Sequence, residues 1–250
     1  QAVINSISEM IDGDFISYWI SVNSSIVRDD VIAFYEILKN NRKKDKLYLF
    51  IKSSGGSGEA SLRIVNLLRK YYKEIVAFIP LDCASAATML ALGADSIKMG
   101  PLAYLTAIDT SITHHLSPLD NFNNRVSVSQ NELSRVLNLW DSNKNENDTN
   151  PFSVIYNHIH PLVIGSVDRA TSLSIKLTTD ILSYHMKDIN EAERISNTLN
   201  AEYPSHSYPI TIVEAQKIGL NAQELPDEVN TKLFELNQLY SEMAQLAYTD

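Results

Sequence analysis

Two five-residue runs, 47–51 (LYLFI) and 75–79 (IVAFI), are apolar at every position. A strand with one wet face alternates apolar and polar residues. A run with no polar member needs cover on both faces, as in a parallel sheet flanked by helices. Residues 15–22 (FISYWISV) are aromatic and β-branched, as strands prefer, and 96–99 read as a further strand, with 103–108 as another. Between them, Val31, Ile32, Phe34, Tyr35 and Leu38 recur at helical spacing, as do Leu62, Ile64, Val65, Leu67 and Leu68. The Ala-rich stretch 84–92 reads as a helix closed by Gly93. Strand, helix, strand, helix, strand in this order predicts right-handed crossovers and a parallel sheet, so residues 12–110 are α/β.

The composition then shifts. Residues 141–150 (DSNKNENDTN) are polar and aperiodic and read as a loop. Helical patterns follow at 152–159, 166–184, 190–200, 212–218 and 227–247. In the last of these, Val229, Leu233, Leu236, Leu239, Tyr240, Met243 and Leu246 read as one stripe, which needs either a partner or the chain's own core. The expected division is an α/β core over 1–125 and a helical elaboration over 126–250, packed on the core and completing a site or an oligomer interface. A chain of 250 residues suits that size.

Net charge −9 argues against nucleic acid as a partner. The basic run Arg42, Lys43, Lys44 and Lys46 reads as a solvated loop. No apolar run approaches the roughly 20 residues of a membrane span. The single cysteine, Cys83, excludes an internal disulfide and a multi-cysteine metal site; it reads as a small buried thiol and points to a reducing, cytoplasmic compartment. The chain opens at Gln1 without Met, which leaves an upstream anchor open. His158 and His160 stand two apart, a poor metal pair on a helix, and neither they nor His185 joins a ligand cluster. No metal and no cofactor is expected.

Two turns are candidates to carry chemistry. Ser53-Ser54-Gly55-Gly56-Ser57-Gly58 follows a buried strand and precedes a helix. Adjacent glycines there either make a tight turn or bring backbone N–H groups to an anion or oxyanion. The run matches neither a P-loop nor GxGxxG. The second turn, Asp82-Cys83-Ala84-Ser85-Ala86-Ala87-Thr88, sits where the next strand hands over to a helix. In an open parallel sheet both turns lie at the carboxyl ends of strands, where ligands bind. Ser85 is then either a helix cap or a nucleophile.

In order and spacing, Tyr48–Ser57 and Ala84–Asp95 resemble the ClpP/crotonase superfamily, most closely the serine dehydrogenase proteinase family, relatives of signal peptide peptidase A. Met99-Gly100-Pro101-Leu102 leading to Ala107-Ile108-Asp109, then His158–Arg169, and Ser205–Thr211 running on into Glu214, Ala215, Gly219 and Leu220, extend the resemblance over about 12–225. It implies a ClpP/crotonase-like parallel sheet built from ββα units. It implies a serine peptidase acting on a peptide or protein substrate through an acyl-enzyme on Ser85. The oxyanion hole is then formed by Gly55 or Gly56 and by Ala86. It also implies a homo-oligomer. An acyl-CoA enzyme of the same fold would need a basic cluster for the nucleotide, and none is evident.

The base departs from the pattern. The histidine of Clp-type subunits falls at Ile108, beside Asp109. His114 and His115 follow in a loop, and Lys144 and Lys176 are the lysines in the region where signal peptide peptidase relatives use one. His206 lies in the segment that supplies the carboxylate of Clp-type subunits. It is either the base, with Glu202 as a distant orienting group, or a structural ring in the 204–209 loop. Asp109 either sits beside Ser85 as an orienting partner or caps a turn. The missing histidine keeps a second reading alive, a catalytically inactive peptide-binding or scaffold protein.

Overall fold

The computed structural model describes residues 1–144 and 150–246. Strands are β1 (Asp14–Trp19), β2 (Lys46–Lys52), β3 (Glu74–Ile79), β4 (Asp82–Cys83), β5 (Ser96–Met99), β6 (Tyr104–Leu105), β7 (Ser111–Ile112), β8 (Val128–Ser129) and β9 (Ala222–Glu224). Helices are α1 (Ala2–Glu9), α2 (Asp30–Asn41), α3 (Gly58–Tyr71), α4 (Ala86–Leu92), α5 (Gln130–Asn143), α6 (Pro151–Ile155), α7 (Pro161–Leu182), α8 (Ile189–Asn197), α9 (Ile212–Lys217) and α10 (Asp227–Leu246). A π-helical turn, Thr198–Glu202, continues α8.

β1, β2, β3, β5 and β9 form one sheet in that spatial order, every neighbouring pair parallel. The two apolar runs lie at its centre, β2 against β3 with Leu49 opposite Ala77. Their side chains split by parity. Leu47, Leu49, Ile51, Ile75, Ala77 and Ile79 enter the larger core with α3, α4 and α7. Phe50, Val76 and Phe78 enter a second core under α1 and α10. The sheet is therefore covered on both faces, which is why these runs carry no polar residue.

Past the carboxyl edge of the sheet the chain forms a second, shorter ladder. Pro80 ends β3, and the chain restarts as β4, parallel to β6. Ser53 pairs with Cys83, Ile26 with Gly56, and Leu105 with Ile210. The β3–β4–α4 succession is the expected ββα unit. This ladder brings five distant segments side by side, and the site is built on it.

The carboxyl-terminal half differs from the expected purely helical elaboration. β8 pairs with β7, and β9 adds the fifth strand of the sheet at Met99. The polar stretch from 141 is not all loop: α5 runs to Asn143, started by a capping box in which Ser129 Oγ accepts from the Glu132 N–H and Glu132 Oε2 accepts from the Ser129 N–H. Residues 145–149, and the expected helix end at 247, lie outside the described residues. Strand signal at 103–108 yields only two strand residues, Tyr104 and Leu105; the next N–H, that of Thr106, goes to the Thr88 hydroxyl of α4 at 3.1 Å and not to a strand partner. Gly93 does close α4, yet in a right-handed conformation with φ −74°; a Cβ there would lie 2.4 Å from Val65 Cγ2, so close packing of α3 on α4 requires the glycine. The stripe on α10 divides: Val229, Leu233 and Leu236 are buried and Tyr240 packs beside them, whereas Leu239 and Met243 are exposed.

Candidate active site

The glycine turn begins with a side chain. Ser53, fully buried at the end of β2, accepts the Gly55 N–H on its Oγ at 3.0 Å. Gly55 and Gly56 have φ of +109° and +144°, which L side chains rarely adopt. Gly55 lies against the second turn: a Cβ there would stand 2.8 Å from Ser85 Cβ and 2.9 Å from the Ala84 carbonyl oxygen. Ile26 fixes Gly56 from the other side, donating to the Gly55 carbonyl at 2.8 Å and accepting the Ser57 N–H at 2.9 Å. In a parallel ladder those bonds go to the residues flanking the partner, so the N–H of Gly56 itself turns away from Ile26. It has no partner among the described residues. Ser57 then caps α3, accepting the Ala60 N–H at 3.2 Å.

Ser85 occupies the turn into α4 with φ +53° and ψ −119°. A non-glycine residue held there stores on the order of 1–3 kcal/mol, and such strain persists only where the surroundings enforce it. Its hydroxyl makes no capping bond, so the helix-cap role is not what this serine performs. Its N–H donates to Thr106 Oγ1 at 2.9 Å. The Ala86 N–H, first of α4, has no partner among the described residues. Of the three backbone donors considered from the sequence, Gly55 is thus already bonded, while Gly56 and Ala86 are free and line one cavity with Ser85. Gly55 shapes the turn rather than donating to it.

The third component joins residues 97 positions apart. His206 Nδ1 lies 2.8 Å from Asp109 Oδ1. One shared backbone bridge and two further bonds hold the partners in place. Leu105 and Ile210 exchange two backbone bonds of 2.9 Å, which fixes the 206 segment beside the 105–109 segment. Ile108 donates to the Leu199 carbonyl at 2.9 Å, and Ser174 of α7 donates to the Ile108 carbonyl at 3.1 Å. The Asp109 side chain is 11% exposed and the imidazole 51%. The hydrogen bond to Asp109 raises the His206 pKa above its ordinary 6.5, against the opposing effect of desolvation. No hydrogen bond joins the Ser85 hydroxyl to His206, yet both line the same cavity of about 350 Å³. Met89 of α4 and Ala170, Leu173 and Leu177 of α7 form its apolar wall. A second cavity, about 380 Å³ and polar, shares Asp109, Ser111 and His206 with the first.

The other candidates stay apart. Lys144 pairs with Asp141, and Lys176 with Asp180 on the exposed side of α7; neither lines the cavity. The His114 and His115 rings lie against one another, tilted by 34° with centroids 4.0 Å apart, and His114 Nδ1 accepts the Leu116 N–H. Asp109, not Glu202, bonds the His206 ring. His160 caps α7, His185 bonds the Leu92 carbonyl at 2.8 Å, and His158 is exposed. Cys83 is buried, and desolvation pushes its thiol pKa well up. Among the described residues no group of three His, Cys, Asp or Glu side chains could hold a metal ion, and no helix is long and apolar enough to cross a membrane. The basic run splits between Arg42 on Asp45 and Lys46 on Asp12 and Glu74. Thr106 and the α7 wall were not singled out from the sequence. Their signal is tertiary: one hydroxyl facing one N–H, and one helix lining the cavity of a distant turn.

The Clp protease family model matches residues 1–105. The uncharacterized protein MJ0137 of Methanocaldococcus jannaschii is 24% identical over 211 residues, covering 83% of this chain and 64% of that protein. The chain therefore spans less than two thirds of that relative's length. Among solved structures, a serine-to-alanine mutant of the 1510-N membrane-bound stomatin-specific protease superposes with a TM-score of 0.50 at 14% identity, covering 87% of this chain and 81% of that one. A lysine-to-alanine mutant of the same protease, in complex with a substrate peptide, gives 0.48 at 13% identity, covering 83% and 72%. This chain has a ClpP-like α/β fold, and its first 105 residues match the Clp protease family.

Proposed function

We propose that this chain is a serine peptidase, of the serine dehydrogenase proteinase type, that hydrolyses peptide bonds through an acyl-enzyme on Ser85. One observation carries the reading: Ser85 stands in a strained turn with an uncommitted hydroxyl, between two unpartnered backbone N–H groups, Gly56 and Ala86, in one cavity. A serine hydroxyl is a weak nucleophile until a base takes its proton. Asp109 holds Nδ1 of His206, which leaves Nε2 as the ring nitrogen to accept that proton. Ser85 Oγ attacks the scissile carbonyl, and the Gly56 and Ala86 N–H groups receive the developing oxyanion; one such donor is worth about 3–4 kcal/mol. The imidazolium returns its proton to the leaving amine, and water then releases the acyl group by the same steps in reverse. The single, buried cysteine favours a reducing, cytoplasmic setting.

A second reading, a peptide-binding subunit without turnover, is favoured by one observation: Ser85 and His206 share the cavity without a hydrogen bond between them. Apo sites often tighten only with substrate present. Intact-mass spectrometry after exposure to a fluorophosphonate separates the two readings. A single adduct on the wild type that is absent from Ser85→Ala supports the peptidase. A folded wild type that takes no adduct but binds peptide supports the silent subunit.

A further inference from the structure

We infer that Thr106 is a positioning residue for the nucleophile: its hydroxyl holds the Ser85 backbone in the left-handed region and withdraws the Ser85 N–H from the oxyanion hole. This rests on the reading of Ser85 given above. Three backbone N–H groups meet at the two turns, those of Gly56, Ser85 and Ala86. Only the Ser85 N–H is bonded, at 2.9 Å to Thr106 Oγ1.

The acceptor is itself fixed. Thr106 is 3% exposed, and its hydroxyl proton goes to the Ala107 carbonyl at 3.0 Å, so a lone pair remains for Ser85. Its N–H donates to Thr88 Oγ1 at 3.1 Å, and that hydroxyl donates to the Cys83 carbonyl at 2.8 Å. The two threonines therefore tie the chain just before Ser85 and the Ser85 N–H itself to the end of β6. On the far side, Ser61 Oγ donates to the Ala86 carbonyl at 2.7 Å. Buried hydroxyls grip the backbone on both sides of Ser85, while Ser85 Oγ makes no hydrogen bond. A residue at φ +53° and ψ −119° requires such external restraint.

The test compares Thr106→Val, which keeps the shape and removes the acceptor, with Thr106→Ser, which keeps the acceptor. Two readouts are taken on each folded protein: hydrogen exchange of the Ser85 amide by NMR, and the second-order rate of fluorophosphonate labelling. Thr106→Val is expected to speed Ser85 amide exchange by about tenfold or more, the mark of a lost local bond. Its labelling is expected to slow by roughly 10²-fold, the size of a misaligned oxyanion site. Thr106→Ser is expected to restore both. A merely structural threonine would lower Tm in Thr106→Val and leave labelling of the folded protein unchanged, which would overturn the inference. So would a Ser85 amide that stays protected, or a Thr106→Ser protein as slow as Thr106→Val. Should Thr106→Val not fold, Thr106→Ala removes the same acceptor without the branched methyl groups. A wild type that takes no adduct refutes the peptidase reading instead, and Ser85 amide exchange alone then decides the role of Thr106.

Discussion

His206 keeps its proton more firmly than a free imidazole because the Asp109 carboxylate is hydrogen-bonded to its ring. A general base works only when neutral. Fluorophosphonate labelling of Ser85 is therefore expected to rise with pH through an apparent pKa above 6.5, the ordinary histidine value. Asp109→Asn removes the carboxylate that raises it and releases the tautomer it holds. The midpoint is expected to move down, and the plateau rate to fall, by up to about 10⁴ as in triads that lose their carboxylate. A plateau and midpoint unchanged in Asp109→Asn would remove the pair from the mechanism. The stability consequence has the opposite sign. A folded-state pKa above the unfolded one stabilises the fold at pH below 6.5, and that contribution is lost as pH rises through the raised value.

Gly55 belongs to the scale of elements, since it sets how closely β2's exit turn approaches the start of α4. Gly55→Ala would combine a φ of +109° with a Cβ 2.8 Å from Ser85 Cβ. Backbone strain alone costs on the order of 1–3 kcal/mol, and the contact displaces Ser85 as well. We expect a lower urea midpoint and loss of the adduct in the same variant. A Gly55→Ala protein that labels at the wild-type rate would show that the close approach is not needed. The helix signals here were legible from spacing alone where a strong apolar stripe existed, as in α3 and α7. α5 was not, because its start is encoded in the reciprocal Ser129–Glu132 cap and its polar end blends into the stretch that follows. The second ladder was also hidden, since two-residue strands such as β4 and β6 are too short to show a period.

For the whole molecule, the parallel sheet separates the site from the second core. Leu233 of α10 is fully buried on the far face, among Val3, Ile7, Phe50 and Val76. Leu233→Ala is expected to destabilise the fold by about 3 kcal/mol, within the range for buried leucine deletions. Labelling of the protein that remains folded should be unchanged, because its contacts lie across the sheet from Ser85. A specific loss of labelling without a shift in the urea midpoint would refute that separation.

What the amino-acid sequence determined by itself is local. Continuous apolar runs, helical spacing, Pro80 and the paired glycines encode their own conformations through sterics and burial, so the α/β order and both turns could be read directly. At those turns the residues alone left Ser85 either a helix cap or a nucleophile, and its grouping with Gly55, Gly56 and Ala86 was implied only by the resemblance to the ClpP/crotonase superfamily. What only the tertiary structure decided is non-local. The Asp109–His206 bond joins residues 97 apart through the Leu105–Ile210 pairing, and nothing in either segment names the other. Which glycine keeps a free N–H depends on Ile26 and Ser53, and which hydroxyl restrains Ser85 depends on the residue after β6, Thr106, being tied to Thr88 of α4. Hydrogen bonds of this kind are short-ranged and directional, so they exist only once the fold has set their partners within about 3 Å.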